Sequence, residues 1–250
     1  MIFLIKQANR TPTLTPDTMT VSVDILQQFP LLSTLPRITL GELSTLSELR
    51  SYNKREIVVN KGSAASHMLF LFEGRLQGVD FTLDGKEVGC FFADPGDFLG
   101  ELGVMDGQAH PETIISLGKS VVACVPSHII RPMLTNMPAM AEQLTLKLAQ
   151  KLRQASAQRR ILGLTNPIQK VCAQLVVMSH PSAQNKTVHL ITQVPTHQEL
   201  AIMINASRET VTRVFQLLQT KSMVVRDGHN LILQNIQILR DVSEGLKSDL

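Results

Sequence analysis

Tryptophan is missing from these 250 residues, tyrosine occurs once and cysteine three times. Cys90, Cys124 and Cys172 are odd in number and widely spaced, with no CxxC pair and no Cys/His cluster. A disulfide framework, structural zinc or an iron–sulfur cluster therefore lacks support, and no spacing commends a haem ligand pair. Buried neutral thiols in a reducing compartment are the expectation. No run of about 18 apolar residues occurs, so no transmembrane helix is expected. The apolar start IFLI is too short for a signal-peptide core, which makes a cytoplasmic location the expectation. P-loop, GxSxG and HExxH patterns are absent, and no Ser/His/Asp order has a credible spacing, so the chain does not read as an enzyme.

What is present describes a globular chain, 44% hydrophobic and 18% charged, long enough for two domains, although one large domain also fits. Its charge is unevenly placed. Residues 1–130 carry 10 Lys/Arg against 14 Asp/Glu, net −4; residues 131–165 carry 6 against 1, net +5; residues 166–250 carry 8 against 6, net +2. The C-terminal half is the basic one and would favour an anionic partner.

The texture of the chain changes twice. Residues 1–22, rich in Thr and Pro, read as a flexible arm, and the apolar residues between about 23 and 50 suggest short helices around FPLL. From Tyr52 to about Val125, apolar runs (EIVV, HMLFLFEG, VGCFFA, SVVACV) alternate with the turn signals NKG, LDGK and ADPGD. That spacing predicts an antiparallel roll or sandwich over residues 23–132. Between Met133 and Leu164 the only glycine is Gly163, and Leu144, Leu148 and Leu152 recur every fourth residue, with Ala141 and Ala155 extending the stripe. The pattern predicts one helix of about seven turns over 133–165, whose stripe either docks on the strand domain or pairs with a second copy. Pro167 disfavours α geometry at Asn166, which places a hinge there. Residues 166–250 then read as a helix, about Ile168–Ser179, a strand in TVHLITQV, and the motif that follows.

VPTHQELAIMINASRETVTRVFQLLQTKSMVV decomposes into two capped helices. Thr196 with Glu199 makes a capping box. Asn205 sits where a sharp turn needs positive φ, and Ser207 can cap the second helix. The inner stripe of that helix is Val211, Val214, Phe215 and Leu218, at i, i+3, i+4 and i+7. Glu209, Arg213 and Gln216 fall opposite it, and Arg208 falls at the exposed N-terminal edge. Arginine forks match guanine O6/N7, and glutamate accepts from cytosine N4, whereas a carboxylate has no use against phosphate. Glu209 as a mere helix-dipole partner would explain one residue and leave both arginines unexplained. MVVRDGHNLILQ reads as two strands around Asp227-Gly228, a wing.

These residues carry a resemblance. LAIMINASRETVTRVFQLLQ resembles the recognition motif of the cyclic-AMP receptor/fumarate-nitrate regulator family of bacterial transcription factors. GDFLGELGVMDGQ resembles that family's nucleotide-pocket motif, and the order of roll, long helix and winged motif matches over about residues 23–235. The resemblance implies an α+β fold: an N-terminal cyclic-nucleotide-binding-type β-roll (jelly roll), a long central dimerisation helix and a C-terminal winged helix–turn–helix. It implies double-stranded DNA, a second copy of the chain and RNA polymerase as partners. Arg208, Glu209 and Arg213 become base readers on inverted TGTGA-like half-sites, and Ser207 and Thr210 phosphate contacts. Thr212, Gln216 and Thr196 complete the DNA-facing set, and Leu144, Leu148 and Leu152 form the dimer seam.

The sensor departs from the family. Gly100 and Glu101 keep the Gly-Glu motif, and Leu102 follows it, but the family's Arg-Ser clamp for a cyclic phosphate reads His110-Pro111. A neutral imidazole cannot replace a charged fork, and proline offers neither hydroxyl nor N–H. The family's adenine-contacting Thr-Ser pair aligns with Ala155-Ser156, so half of it is missing. The candidate effector pocket is therefore Gly100, Glu101, Leu102, His110, Pro111 and Ser156. No cofactor is established; a nucleotide second messenger, cyclic di-GMP ahead of cyclic AMP, or activity without ligand is expected. Arg153, Arg159 and Arg160 could meet such a dinucleotide, although a solvated helix face or a partner surface explains any single one of them better. Two alternatives remain: a cyclic-AMP-responsive regulator with a rebuilt pocket, and a cyclic-nucleotide-binding interaction module that does not bind DNA.

Overall fold

The computed structural model describes residues 19–82, 85, 87–183, 185 and 187–246. Most of the expected arm, residues 1–18, lies outside these. Residues 19–22 do not continue it: Met19–Thr20 (β1) pairs with Leu49 and Glu48, and Ser22 caps α1 (Val23–Gln27) by accepting from the Ile25 N–H.

After α1 and α2 (Arg37–Leu46) come the strands β2 (Glu48–Tyr52), β3 (Ile57–Val59), β4 (His67–Glu73), β5 (Leu76–Phe81), β6 (Glu87–Ala93) and β7 (Phe98–Leu99). The helix α3 (Glu101–Asp106) interrupts them before β8 (Thr113–Ser116) and β9 (Ser120–Pro126). Two antiparallel sheets, ordered β1-β2-β9-β4-β7 and β3-β8-β5-β6, make the roll. The run HMLFLF is continuous because both faces of β4 are covered, which removes the usual alternation of polar and apolar residues. Met68 and Phe70 pack toward the helices with Ala123 and Val125, while Leu69 and Leu71 pack between the sheets with Val122 and Cys124.

The helix expected over 133–165 is two helices. The first, α4 (Ser127–Asn136), ends at Met137, which is extended (φ −110°, ψ 106°), and α5 runs from Pro138 to Gly163 with the proline in its first turn. Proline lacks the N–H that an interior position needs and pushes its predecessor out of α geometry, so the break belongs at Met137. At 26 residues, α5 is about 39 Å long. Its start, Met140 and Leu144, sits in the core of the roll, and Ile161 near its end sits in the C-terminal core.

The leucine stripe also differs from expectation. Leu144 is 5% exposed and packed into the roll, Leu148 is half-buried against the same core, and Leu152 is 68% exposed. Each four-residue step turns the side chain by about 40° around the helix, so the stripe spirals from core to solvent. Leu144 is thus a core residue and not part of an accessible seam. The accessible apolar residues on α5 include Leu146, Leu152 and Ala155.

Asn166 accepts from the Ile168 N–H at 2.9 Å and starts α6 (Pro167–Met178). The strands β10 (His180–Pro181) and β11 (His189–Ile191) follow. TVHLITQV yields only these three β11 residues, because the chain turns at Gln193 (φ 49°). Helices α7 (His197–Ile204) and α8 (Arg208–Thr220), strands β12 (Val224–Asp227) and β13 (Asn230–Leu233), and α9 (Ile236–Ser243) complete the C-terminal unit, with its small sheet ordered β10-β11-β13-β12. Among the described residues no helix is long and apolar enough to cross a membrane.

Candidate functional site

The helix pair α7–α8 is fixed at both starts and at the turn between them. Thr196 Oγ1 accepts from the Glu199 N–H at 3.3 Å, and Glu199 Oε2 accepts from the Thr196 N–H at 2.8 Å. Asn205 takes the left-handed conformation (φ 50°, ψ 58°), and Ser207 Oγ then accepts from the Thr210 N–H at 3.1 Å. Val211, Val214, Phe215 and Leu218 are all buried, and Arg208, Glu209, Arg213 and Gln216 are all exposed. With Thr212 they line one shallow depression on the outer side of α8. Among the described residues, neither arginine there has a carboxylate partner. Bonds from its own backbone N–H and from the Ser207 hydroxyl hold the Glu209 carboxyl below its usual value, so it is an acceptor at neutral pH.

Thr212 also has a structural part. Its hydroxyl donates to the Arg208 carbonyl at 2.9 Å and meets His197 Nδ1 at 2.9 Å, so it joins α7 to α8. His197, whose ring lies 4.6 Å from that of Phe215, is a positioning residue the sequence reading missed; a histidine beside a capping threonine gives no periodic signal. Burial lowers its pKa, and the charges of Arg226 and Arg208 lower it further. Arg226, exposed on the wing, therefore lies close enough to the helix pair to act on it electrostatically and is a second residue the sequence reading passed over. Thr196, Ser207 and Thr210 keep hydroxyls at the helix starts.

In the roll, Gly100 (φ 84°) opens α3, and a side-chain carbon there would come within 3.0 Å of the His67 carbonyl and 3.3 Å of His110 Cε1. Glu101 is 2% exposed; its Oε1 accepts from Lys151 Nζ at 2.6 Å, and its Oε2 has no hydrogen-bond partner. Lys151 also donates to the Phe98 carbonyl at 3.3 Å and lies over the Phe91 and Phe98 rings at 5.7 and 6.0 Å. His110 is buried, and burial lowers its pKa against the opposing pull of Glu101, so the imidazole is neutral at neutral pH. Gly100, Glu101 and His110 are thus brought together, whereas Leu102, Pro111 and Ser156 are exposed. The sequence reading missed Lys151 and Glu112. Burial raises the Glu112 carboxyl, Lys151 partly opposes this, and Glu101 and Asp80 add to it. Arg153, Arg159 and Arg160 stand exposed along α5.

Burial raises the Cys90 and Cys124 thiols to about 11 and the Cys172 thiol to about 12, so all three are neutral. No group of His, Cys, Asp and Glu among the described residues could hold a metal ion.

Comparison with known proteins agrees with this layout. Residues 49–136 match the family model described as cyclic nucleotide-binding domain, and residues 169–242 match the one described as Crp-like helix-turn-helix domain. The chain is 23% identical over 193 residues to the cAMP-activated global transcriptional regulator CRP of Pasteurella multocida, covering 74% of this chain and 89% of that one. In fold it is similar to FixK2 from Bradyrhizobium japonicum, with TM-score 0.67, 21% identity, and 78% and 96% of the two chains covered. It is likewise similar to the regulator CLP of Xanthomonas campestris, with TM-score 0.60, 18% identity, and 79% and 99% covered.

Proposed function

The chain belongs to the cyclic-AMP receptor/fumarate-nitrate regulator family of transcription regulators, and from that premise we propose that it binds DNA as a dimer on inverted TGTGA-like half-sites. The observation that carries this is the outer face of α8. Two arginines and a carboxylate stand exposed there on a helix locked from behind by four buried residues, as base reading requires. Arg208, Glu209 and Arg213 are the readers; Ser207, Thr210 and Thr196 hold phosphates, with RNA polymerase as the further partner. In a dimer joined along the exposed side of α5, two such helices would enter major grooves about 34 Å apart.

The effector is a molecule other than cyclic AMP, or there is none. A cyclic phosphodiester needs a cation where this chain has neutral, buried His110, and the neighbouring Glu101 and Glu112 add carboxylates. Cyclic di-GMP is the first candidate, since the Xanthomonas campestris neighbour is described as responsive to it and Arg153, Arg159 and Arg160 are accessible. One observation favours the competing reading of a rebuilt cyclic-AMP site: Lys151 Nζ lies 2.6 Å from Glu101, inside the roll pocket.

Fluorescence anisotropy with a duplex carrying two inverted TGTGA half-sites tests the first part. Binding should be about 10³-fold or more tighter than to a scrambled duplex; equal affinities would defeat sequence reading. Calorimetry with cyclic AMP and cyclic di-GMP tests the second. Micromolar cyclic AMP binding that raises DNA affinity by about tenfold would establish the rebuilt site instead.

A further inference from the structure

The hydrogen bonds behind the reading helix settle which nitrogen of His197 can titrate. Thr212 has a single hydroxyl proton and donates it to the Arg208 carbonyl at 2.9 Å, so toward His197 it presents only a lone pair. The 2.9 Å bond between Thr212 Oγ1 and His197 Nδ1 therefore runs from the ring, and Nδ1 carries its hydrogen whether the imidazole is neutral or charged. The titrating nitrogen is Nε2. Phe215, 4.6 Å away from ring to ring, holds the imidazole against α8.

The charges around this ring come from several elements. Burial disfavours its protonation most, and Arg226 of β12 and Arg208 of α8 then oppose a further positive charge. On α7 itself, Glu199 turns its carboxylate to the Thr196 N–H at 2.8 Å. His229 of the wing turn and Lys54 and Lys119 of the roll border a cleft that includes Thr196 and Glu199. Lys170 of α6 meets the far end of α7, at the Ile204 carbonyl. Among the described residues, neither Arg208 nor Arg226 has a carboxylate partner, and both are exposed. The free protein thus keeps the ring neutral beside two solvated arginines. A polyanion laid on those arginines reverses the balance. Its phosphates cancel the two charges that oppose protonation and add an attraction of their own.

We propose that DNA binding by this chain takes up a proton at His197 Nε2, so that the α7–α8 pair grips a duplex more tightly as the pH falls. The proposal rests on the DNA-binding reading above and adds a regulation to it. Solvent supplies the proton, and Nε2 becomes an N–H donor. The bond from Nδ1 to Thr212 becomes charge-assisted and tightens the first turn of α8, where Arg208 and Glu209 stand. The sign follows from linkage. A group that holds its proton more firmly in the complex than in the free protein strengthens binding as the pH falls through the bound value. The gain is complete below the free value, which for His197 lies under 6.5.

Fluorescence anisotropy at constant ionic strength tests this with the inverted TGTGA duplex and a scrambled one. Calorimetry in buffers of different ionisation enthalpy counts the protons taken up. The unsubstituted chain should bind about fivefold more tightly at about pH 6 than at about pH 7.5, with a net proton uptake. His197→Gln, neutral at every pH, should remove most of that gain. His197→Arg, charged throughout, should bind as tightly at about pH 7.5 as at about pH 6. His229→Gln, at an exposed turn of the wing, should keep the uptake, and it guards against a His197 variant that fails to fold. An uptake that is absent in the unsubstituted chain, survives His197→Gln or vanishes in His229→Gln overturns the proposal. Base reading is decided separately. Equal affinity for the two duplexes with the uptake intact defeats base reading alone, whereas discrimination without uptake defeats this proposal alone.

Discussion

On α8 the side chains of Arg208, Glu209 and Arg213 stand exposed over a buried stripe, whereas in the roll Glu101 is 2% exposed and already paired with Lys151 at 2.6 Å. The first region keeps its charges solvated until a partner desolvates them. The second has taken a carboxylate out of water and met the cost within the chain. An exposed face can therefore lose a residue with the fold intact, and a loss there should appear in binding. A buried pair that loses one member should appear first in stability. That contrast can be broken or sharpened by substitution.

The largest effect is expected where the two regions depend on a common element, α5. Leu152→Asp puts a carboxylate on the accessible side of the helix, 68% exposed, without entering either core. Light scattering should show a monomer, and specific DNA affinity should fall by about 10²–10⁴-fold as the two half-sites are no longer bound together. An undiminished dimer would place the seam elsewhere. Leu148→Asp is the poorer probe, because Leu148 also packs against the core of the roll.

Next is the buried pair. Lys151→Met leaves Glu101 charged and buried, which should cost about 3 kcal/mol of stability, the low end for a broken buried pair because Lys151 is partly exposed. Adding Glu101→Gln should recover most of that loss in denaturant unfolding. If the double variant is no more stable than Lys151→Met, the pair is not what holds α5 to α3.

The two regions also differ in how far the sequence disclosed them. The stripe Val211, Val214, Phe215, Leu218 is local, and a period of 3.6 residues places all four inside and Arg208, Glu209 and Arg213 outside. The capping box at Thr196 is legible for the same reason, since its bonds span three residues. The Lys151–Glu101 pair spans fifty residues, and the Glu112 environment depends on how strands meet across the roll, so neither leaves a pattern along the chain. Between these extremes lies α5. Pro138 marks its start, although the expected helix over 133–165 ran through it, and a leucine every fourth residue suggested one uniform face where the helix geometry makes a spiral. Register along a helix is readable; what each of its sides meets is a property of the assembled core.

On the exposed side, Arg213→Ala should cost about 1–3 kcal/mol on the best duplex and relax preference at one guanine, while leaving the unfolding midpoint unchanged. Ser207→Ala should weaken binding to all duplexes alike and lower stability, because Ser207 also caps α8. If Arg213→Ala lowers cognate and random binding by one factor, the arginine meets only phosphate.

The smallest expected effect is a pH slope, and its sign follows from burial. His67, His110, His189 and His197 each have a pKa lowered below 6.5, with desolvation the largest cause in every case. A buried neutral imidazole resists protonation that the unfolded chain accepts freely, so below the unfolded value the unfolded state binds more protons. Stability is therefore full above about pH 6.5 and declines as the pH falls from there toward the folded values. Glu112 works in the opposite sense. Its carboxyl is raised above 4.5, so its penalty is present at neutral pH and is relieved as it protonates in acid. The carboxyls held low, among them Glu56, Asp80 and Glu209, lose their contribution only once the pH drops below the ordinary carboxylate range. Between about pH 7.5 and 5.5 the histidines lower stability as acid is added, Glu112 opposes them as it protonates, and thermal denaturation should show a Tm that falls with acid. His110→Gln should reduce that slope by removing one of the four groups. A Tm that is flat across this interval would mean that His110 and its counterparts are open enough to accept a proton in the folded chain. The argument that His110 is a neutral side chain where a cyclic phosphate needs a cation would then fail with it.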